Sequence, residues 1–390
     1  MSQSDPITRA LQSAVETGVF PGAVLLVRLH GQILYQRAVG RASLIPEKKP
    51  ASPDTVYDLA SLTKPLATAT SILCLIQDGR LGLDDSLEQL LVELAGSPLG
   101  AATVAHLLTH SAGLPAWRPF YERIAPLPSH PPQGGEGGGG GFLGSEQAKQ
   151  LVLDLIRQEP LLASAGTHSL YSDLGFVLLG LVIERLAGCS LATFVRERVY
   201  EPIKAEPLFF VQRDGTIVGG SRATGDRAKL LSLVAPTEED PWRGRVLCGE
   251  VHDENAYALG GIAGHSGLFG TAAAVLAVSG CWLDSYLGRE SLLRSDLVRR
   301  FVSRQDLPAG SSWGLGWDTP SAPSSSGTRF SPKSFGHLGY TGTSLWIDPE
   351  RELEVVLLSN RVHPTRKNDG IRAFRPKIHD IIYEELVADS

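Results

Sequence analysis

The sequence predicts a mixed α/β (α+β) fold: a central antiparallel sheet assembled from both chain ends, flanked by helices, with a helical region inserted between them. Two patterns predict it. β-rich pairs flank short turns near each terminus, and the middle holds five stretches of helical length and periodicity. The chain of 390 residues, 43% apolar and 20% charged, has ample material for a large core.

Taken in order, residues 7–18 read as an amphipathic helix, with Ile7, Leu11 and Val15 spaced four apart. Two β-rich runs, 22–28 and 32–38, flank His30-Gly31, an X-Gly pair that suits a two-residue hairpin turn. Residues 61–78, 84–95, 145–158, 173–187 and 271–287 carry helical periodicity. Near the end, 344–347 and 353–358 flank Asp348-Pro349-Glu350-Arg351 as a second hairpin, and 371–387 reads as a closing helix. Residues 1–78 plus 288–390 therefore form the sheet region, and 79–287 the mainly helical one. Two stretches, the glycine-rich 126–144 and the Ser/Pro-rich 320–334, lack the apolar content to offset the entropy of ordering, so mobile loops are expected. The glycine run has neither the Lys-Ser/Thr nor the preceding strand of a phosphate loop.

Composition excludes several classes. A net charge of −6 offers no basic field for nucleic acid or an anionic membrane. No run approaches the roughly 18 apolar residues of a membrane span. Residues 1–12 lack the apolar run of a signal peptide, so a cytoplasmic location is expected. Cys74, Cys189, Cys248 and Cys281 show neither pairing nor metal spacing and read as reduced, buried thiols. His252-Asp253-Glu254 offers three ligand types, but in immediate succession they cannot face one point. The segment to Tyr257 reads as a hydrogen-bonded rim, and no metal or cofactor is expected.

The chemistry centres on Ser61-Leu62-Thr63-Lys64, the one S-x-x-K in the chain. It opens an apolar helix, which puts Ser61 at the positive end of the dipole, among free N–H groups, with Lys64 one turn on. Pro65 falls in the first turn, where a missing N–H is tolerated. A lysine amine with a lowered pKa accepts a hydroxyl proton; a capping serine beside a solvated lysine is the plainer alternative. Tyr171-Ser172-Asp173 precedes another apolar helix, and His337-Leu338-Gly339 enters a strand. Singly these also suit a packing tyrosine, a capping aspartate and a structural histidine.

Together and in this order, Ser61-x-x-Lys64, Tyr171-x-Asp173 and His337-x-Gly339 resemble the three motifs of class C β-lactamases and related penicillin-binding-protein-like serine hydrolases. Connecting segments are similar too: 107–115, 171–180, 264–271 and 335–346, within a resemblance running from about residue 10 to 385. The resemblance implies a β-lactamase/transpeptidase-like fold and an acyl-enzyme on Ser61. Lys64 and Tyr171 would move protons. The backbone N–H groups of Ser61 and Tyr340 would form the oxyanion hole, and Asp173, His337, Gly339 and Arg361 would bind substrate. Mutual proximity would be the means of perturbing Lys64 and Tyr171, an ammonium favouring phenolate. Two departures matter. Asp173 stands where the family usually has an amide, which donates to a substrate carbonyl as a carboxylate cannot; it pairs with Lys64 or binds a substrate amine instead. His337 stands where a lysine is commoner, which favours uncharged esters or amides unless Arg361, His363 or Arg366 supplies the charge. The expected activity is an esterase or an amidase/D-peptidase on a small ester, amide or peptide, with weak or no β-lactamase activity. The alternatives are a β-lactamase proper and a catalytically silent binding homologue.

Overall fold

A computed structural model describes residues 5–125, 142–219 and 227–388. Its main sheet has six antiparallel strands in the order Phe335–Leu338, Ser344–Asp348, Leu353–Ser359, Gly22–Leu29, Gln32–Ser43, Lys49–Pro50. The chain ends thus meet at the sheet centre, where Ala23 lies opposite Ser359 and Val27 opposite Val355. Gly22–Leu29 is covered on both faces, which explains its unbroken apolar run. Its residues alternate between two cores. Ala23, Leu25 and Val27 face the terminal helices Pro6–Glu16 and Ile371–Leu386, meeting Leu11, Ile378 and Ile382. Val24 and Leu26 face the larger core beneath the helical region.

In that region Asp173–Ala187 and Ala272–Leu287 are apolar on nearly every side, because both run through the interior. Gly180 lets the first of them touch the 264–268 loop. A Cβ there would meet Gly264 N at 2.9 Å, and one on Gly264 would meet Phe176 O at 2.1 Å.

Several expectations change. The stretch 61–78 is helical but not uniformly α: a 3₁₀ turn Ala60–Leu62, a π-helical turn Lys64–Ala69, then α-helix Thr70–Gln77. Residues 84–95 form only two short turns, Leu87–Leu90 and Val92–Leu94. A second sheet joins Tyr57–Asp58, Leu268–Gly270, Leu208–Val211 and Ile217–Val218, mostly inside the region read as helical. These strands are too short for a period-2 pattern to register.

The Ser/Pro-rich 320–334 segment is ordered rather than loose. Its hydroxyls and one aromatic hold it: Ser331 donates to Asp348 Oδ1 at 2.7 Å, Thr328 N–H to Asp380 at 2.7 Å, and Phe330 packs on Trp346 and His379. Of the glycine-rich stretch, residues 126–141 lie outside the described residues. Cys74 and Cys281 are buried as expected, whereas Cys248 is exposed. Among the described residues no single helix is long and apolar enough to cross a membrane.

Candidate active site

Ser61 enters its helix through a strained turn. Ala60 has φ +47, a left-handed conformation costing about 1 kcal/mol in a non-glycine residue. The turn is held from several sides. Asp58 Oδ1 accepts Ala60 N–H at 2.8 Å, and Thr63 Oγ1 donates to Ala60 O at 2.6 Å. Leu268 N–H then donates to Thr63 Oγ1 at 3.1 Å.

Lys64 is wholly buried yet has three acceptors for its three N–H bonds: Ser61 Oγ at 2.9 Å, Asp173 Oδ1 at 2.6 Å and His265 O at 3.0 Å. Burial pushes its pKa down, but the Asp173 carboxylate and then the Tyr171 phenol outweigh it, and the net shift is upward. The upward shift favours the ammonium, the form the sequence reading pairs with a Tyr171 phenolate, over an amine with a lowered pKa. Its Nζ lies 4.9 Å from the centre of the Tyr171 ring. The phenol also ends above its ordinary value: burial raises it, Lys64 lowers it, Asp173 raises it again, and hydrogen bonding to Lys64 and Ser61 pulls down. Proximity to the ammonium alone does not deliver a phenolate, because burial, and then Asp173, outweighs what Lys64 gives.

Tyr171 is seated among rings. His110 lies 4.5 Å away, Trp313 5.7 Å and His337 6.0 Å, centre to centre. Both histidines are neutral. Burial, then the charge of Lys64, pushes His337 down to about 3 and takes His110 well below its usual range. Hydrogen bonds fix their tautomers. Ser172 N–H donates to His110 Nδ1, while His337 Nδ1 donates to Leu338 O at 2.9 Å. His337 Nε2 is thereby left as a buried acceptor with no partner among the described residues, on the wall of the cleft.

The His337-x-Gly339 strand end lies directly against the nucleophile turn. A Cβ on Gly339 would meet Thr343 Oγ1 at 2.0 Å and Leu59 O at 2.6 Å, so glycine is needed there for close approach. Ser61 and Tyr340 thus come together from opposite ends of the chain, and neither backbone N–H has an acceptor among the described residues. Arg361 has an organising part here. It donates to Tyr340 O at 2.8 Å, to Arg366 O and to Asn368 O, and its guanidinium lies 4.4 Å from the Tyr340 ring centre.

Ser61, Tyr171, Asp173, His337, Gly339, Tyr340 and Arg361 line one cleft of about 660 Å³. The lining also includes Arg372 and Arg375; like Arg361, neither is within 4.0 Å of a carboxylate oxygen among the described residues. Burial, followed by repulsion from Arg361 and Arg372, pushes Arg375 down to about 9. Arg366 differs, being neutralised by Glu238 and Glu254. The His252–Tyr257 stretch is the hydrogen-bonded rim expected of it: His252 Nε2 donates to Glu238 at 3.0 Å, and His265 Nε2 to Asp253 at 2.8 Å. Among the described residues no group of three or more His, Cys, Asp or Glu is placed to hold a metal ion.

The structure thus brings Ser61, Tyr171, Asp173, His337, Gly339, Tyr340 and Arg361 to one cleft, with buried Lys64 hydrogen-bonded to Ser61 and Asp173. Trp313, Arg372 and Arg375 also line it, and buried Asp58 and His110 support it from behind; all five went unremarked in sequence as site residues. Only His110 left a trace, within the 107–115 segment.

A hydroxyl touching a buried ammonium, a phenol beside both, and two unspent N–H groups define a serine acyl hydrolase, acting on esters or amides. Comparison with known proteins gives the family. The Beta-lactamase family model matches residues 7–377, and the chain belongs to that family. A relative from Escherichia coli K12, provisionally named a D-alanyl-D-alanine carboxypeptidase, is 30% identical over 376 residues, 91% of this chain and 81% of that protein. One from Salmonella typhimurium with the same provisional name is 28% identical over 93% and 83%. Among solved structures, EstCE1, described as a hydrolase with promiscuous acyltransferase activity, superposes with TM-score 0.71 over 97% of both chains at 23% identity. The octameric penicillin-binding protein homologue from Pyrococcus abyssi gives 0.69 over 98% of this chain and 77% of that one, at 20% identity. At these identities the superpositions show the fold.

Proposed function

We propose that the chain hydrolyses a carboxylate-bearing acyl donor of the D-peptide type through an acyl-enzyme on Ser61. The observation that carries this reading is the group Arg361, Arg372 and Arg375 lining the cleft, none of which forms an ion pair with a carboxylate among the described residues. It supplies the cation that His337, neutral at any physiological pH, does not. The provisional names of the curated relatives point to the same substrate class.

In this reading Tyr171, on losing its proton, takes the proton of Ser61 Oγ, while the Lys64 ammonium stays in place to steady the phenolate. Oγ attacks the acyl carbon, and the carbonyl oxygen gathers charge between the N–H groups of Ser61 and Tyr340. The phenol then protonates the leaving amine or alcohol. Water, deprotonated by the same pair, releases the acid.

The test uses Arg372, which is exposed and has no carboxylate oxygen within 4.0 Å among the described residues. For an N-acylated peptide ending in D-Ala-D-Ala, Arg372→Ala should raise KM by about 10-fold, the worth of one charge-assisted hydrogen bond. KM for a neutral p-nitrophenyl ester should not move. Equal effects on both, or no peptide turnover by the wild type, would remove the carboxylate from the substrate's description.

A further inference from the structure

We propose that Asp58 is a positioning residue that holds the two halves of the oxyanion hole in register. The inference rests on reading the Ser61 and Tyr340 N–H groups as that hole.

Asp58 is 2% exposed and ends the short strand Tyr57–Asp58, three residues before Ser61. Its carboxylate is spent on main-chain N–H groups alone. Oδ1 accepts from Ala60 at 2.8 Å and Oδ2 from His252 at 2.7 Å, and no lysine or arginine of the described chain pairs with it. Its own carbonyl accepts Thr341 Oγ1–H at 2.7 Å. The next carbonyl, Leu59 O, accepts Thr343 Oγ1–H at 3.0 Å. One residue thus fastens three segments. The first is the left-handed turn that aims the Ser61 N–H, the second the 340–343 turn that aims the Tyr340 N–H, and the third the His252 rim.

The chemistry makes this arrangement costly unless it serves placement. A buried carboxylate without a cation is penalised by desolvation, and its negative charge lies near the site where an oxyanion would form. Burial accordingly raises its pKa against the pull of the His252 and Ala60 N–H groups. An asparagine would avoid the charge. It cannot accept from both N–H groups, since its amide nitrogen would face a donor. Only a carboxylate satisfies Ala60 and His252 together while Ala60 is held at φ +47.

Two substitutions test the assignment on the full chain. Asp58→Asn pits a donor against the His252 N–H, and Thr341→Val removes the hydroxyl that reaches the Asp58 carbonyl. Both are nearly isosteric. Each should lower kcat for a p-nitrophenyl ester by about 10- to 100-fold, up to the loss seen when one oxyanion donor is removed, with KM changed less than about threefold. Affinity for a boronic acid that mimics the tetrahedral intermediate should fall in proportion to kcat. If Asp58→Asn does not fold, Thr341→Val decides. Folded variants with kcat within about twofold of wild type, or a lowered kcat with unchanged boronic acid affinity, would overturn the assignment. A wild-type chain that forms no acyl-enzyme would sink the site reading instead, and this inference with it.

Discussion

Asp173 Oδ1 lies 2.6 Å from Lys64 Nζ, where an amide is usual in the family the motifs resemble. The carboxylate keeps Lys64 an ammonium and also raises the Tyr171 phenol, so the resting site holds one proton more than catalysis needs. Acylation then waits on loss of a proton from a group whose pKa is raised. The sign follows: the active basic form is scarce at low pH and grows as pH climbs, so kcat/KM should have its rising limb on the alkaline side of neutrality. Asp173→Asn removes a charge that raises both groups, so the limb should move to lower pH. The new amide should also raise cephalosporin turnover relative to ester turnover, since it donates to a substrate carbonyl. An unmoved limb would show that Asp173 does not set the proton balance.

The same residue shows what sequence can and cannot carry. The sequence leaves Asp173 two roles, pairing with Lys64 or binding a substrate amine, and the short contact shows the first. The direction of the lysine shift was not legible, because it depends on three acceptors from residues 61, 173 and 265 meeting in one buried spot. Asp58 is a plainer miss. Nothing in Tyr57-Asp58-Leu59 distinguishes a carboxylate that caps a turn from one in solvent until His252 and Thr341 are placed around it.

At the scale of elements, the nucleophile helix starts with 3₁₀ and π-helical turns in place of regular α-helix. Such departures cluster at functional sites, where a side chain must be aimed more finely than 100° steps allow. The long helices and terminal hairpins were legible because their apolar periods run for several turns or residues. The two- to four-residue strands of the second sheet were not, having no room for a period. The 320–334 segment misled for another reason. Its composition resembles a loose loop, but Ser331, Thr328 and Phe330 each find a buried or charged partner on the closing helix or last hairpin. Phe330→Ala should therefore cost about 3 kcal/mol in urea unfolding, the usual toll for truncating a buried phenylalanine. A cost below about 0.5 kcal/mol, typical of surface sites, would return the segment to the mobile class.

Across the whole molecule, the sheet joins residues more than three hundred positions apart, as in the Arg28–Glu354 ion pair, 326 residues in separation. That closure presses the strand end bearing Gly339 and Tyr340 against the turn bearing Ser61, and the helical region delivers Tyr171 and His265 from the other side. The overall charge of −6 conceals the arginine wall, which total composition does not reveal because Arg361, Arg372 and Arg375 gather only when the closing helix docks. The central claim is that this convergence makes Ser61 a nucleophile. Intact-mass analysis after exposure to a fluorophosphonate tests it most directly. The account predicts a single adduct on the wild-type chain, mapped to the peptide holding Ser61, and none on Ser61→Ala; an adduct of equal yield on the folded variant would contradict it.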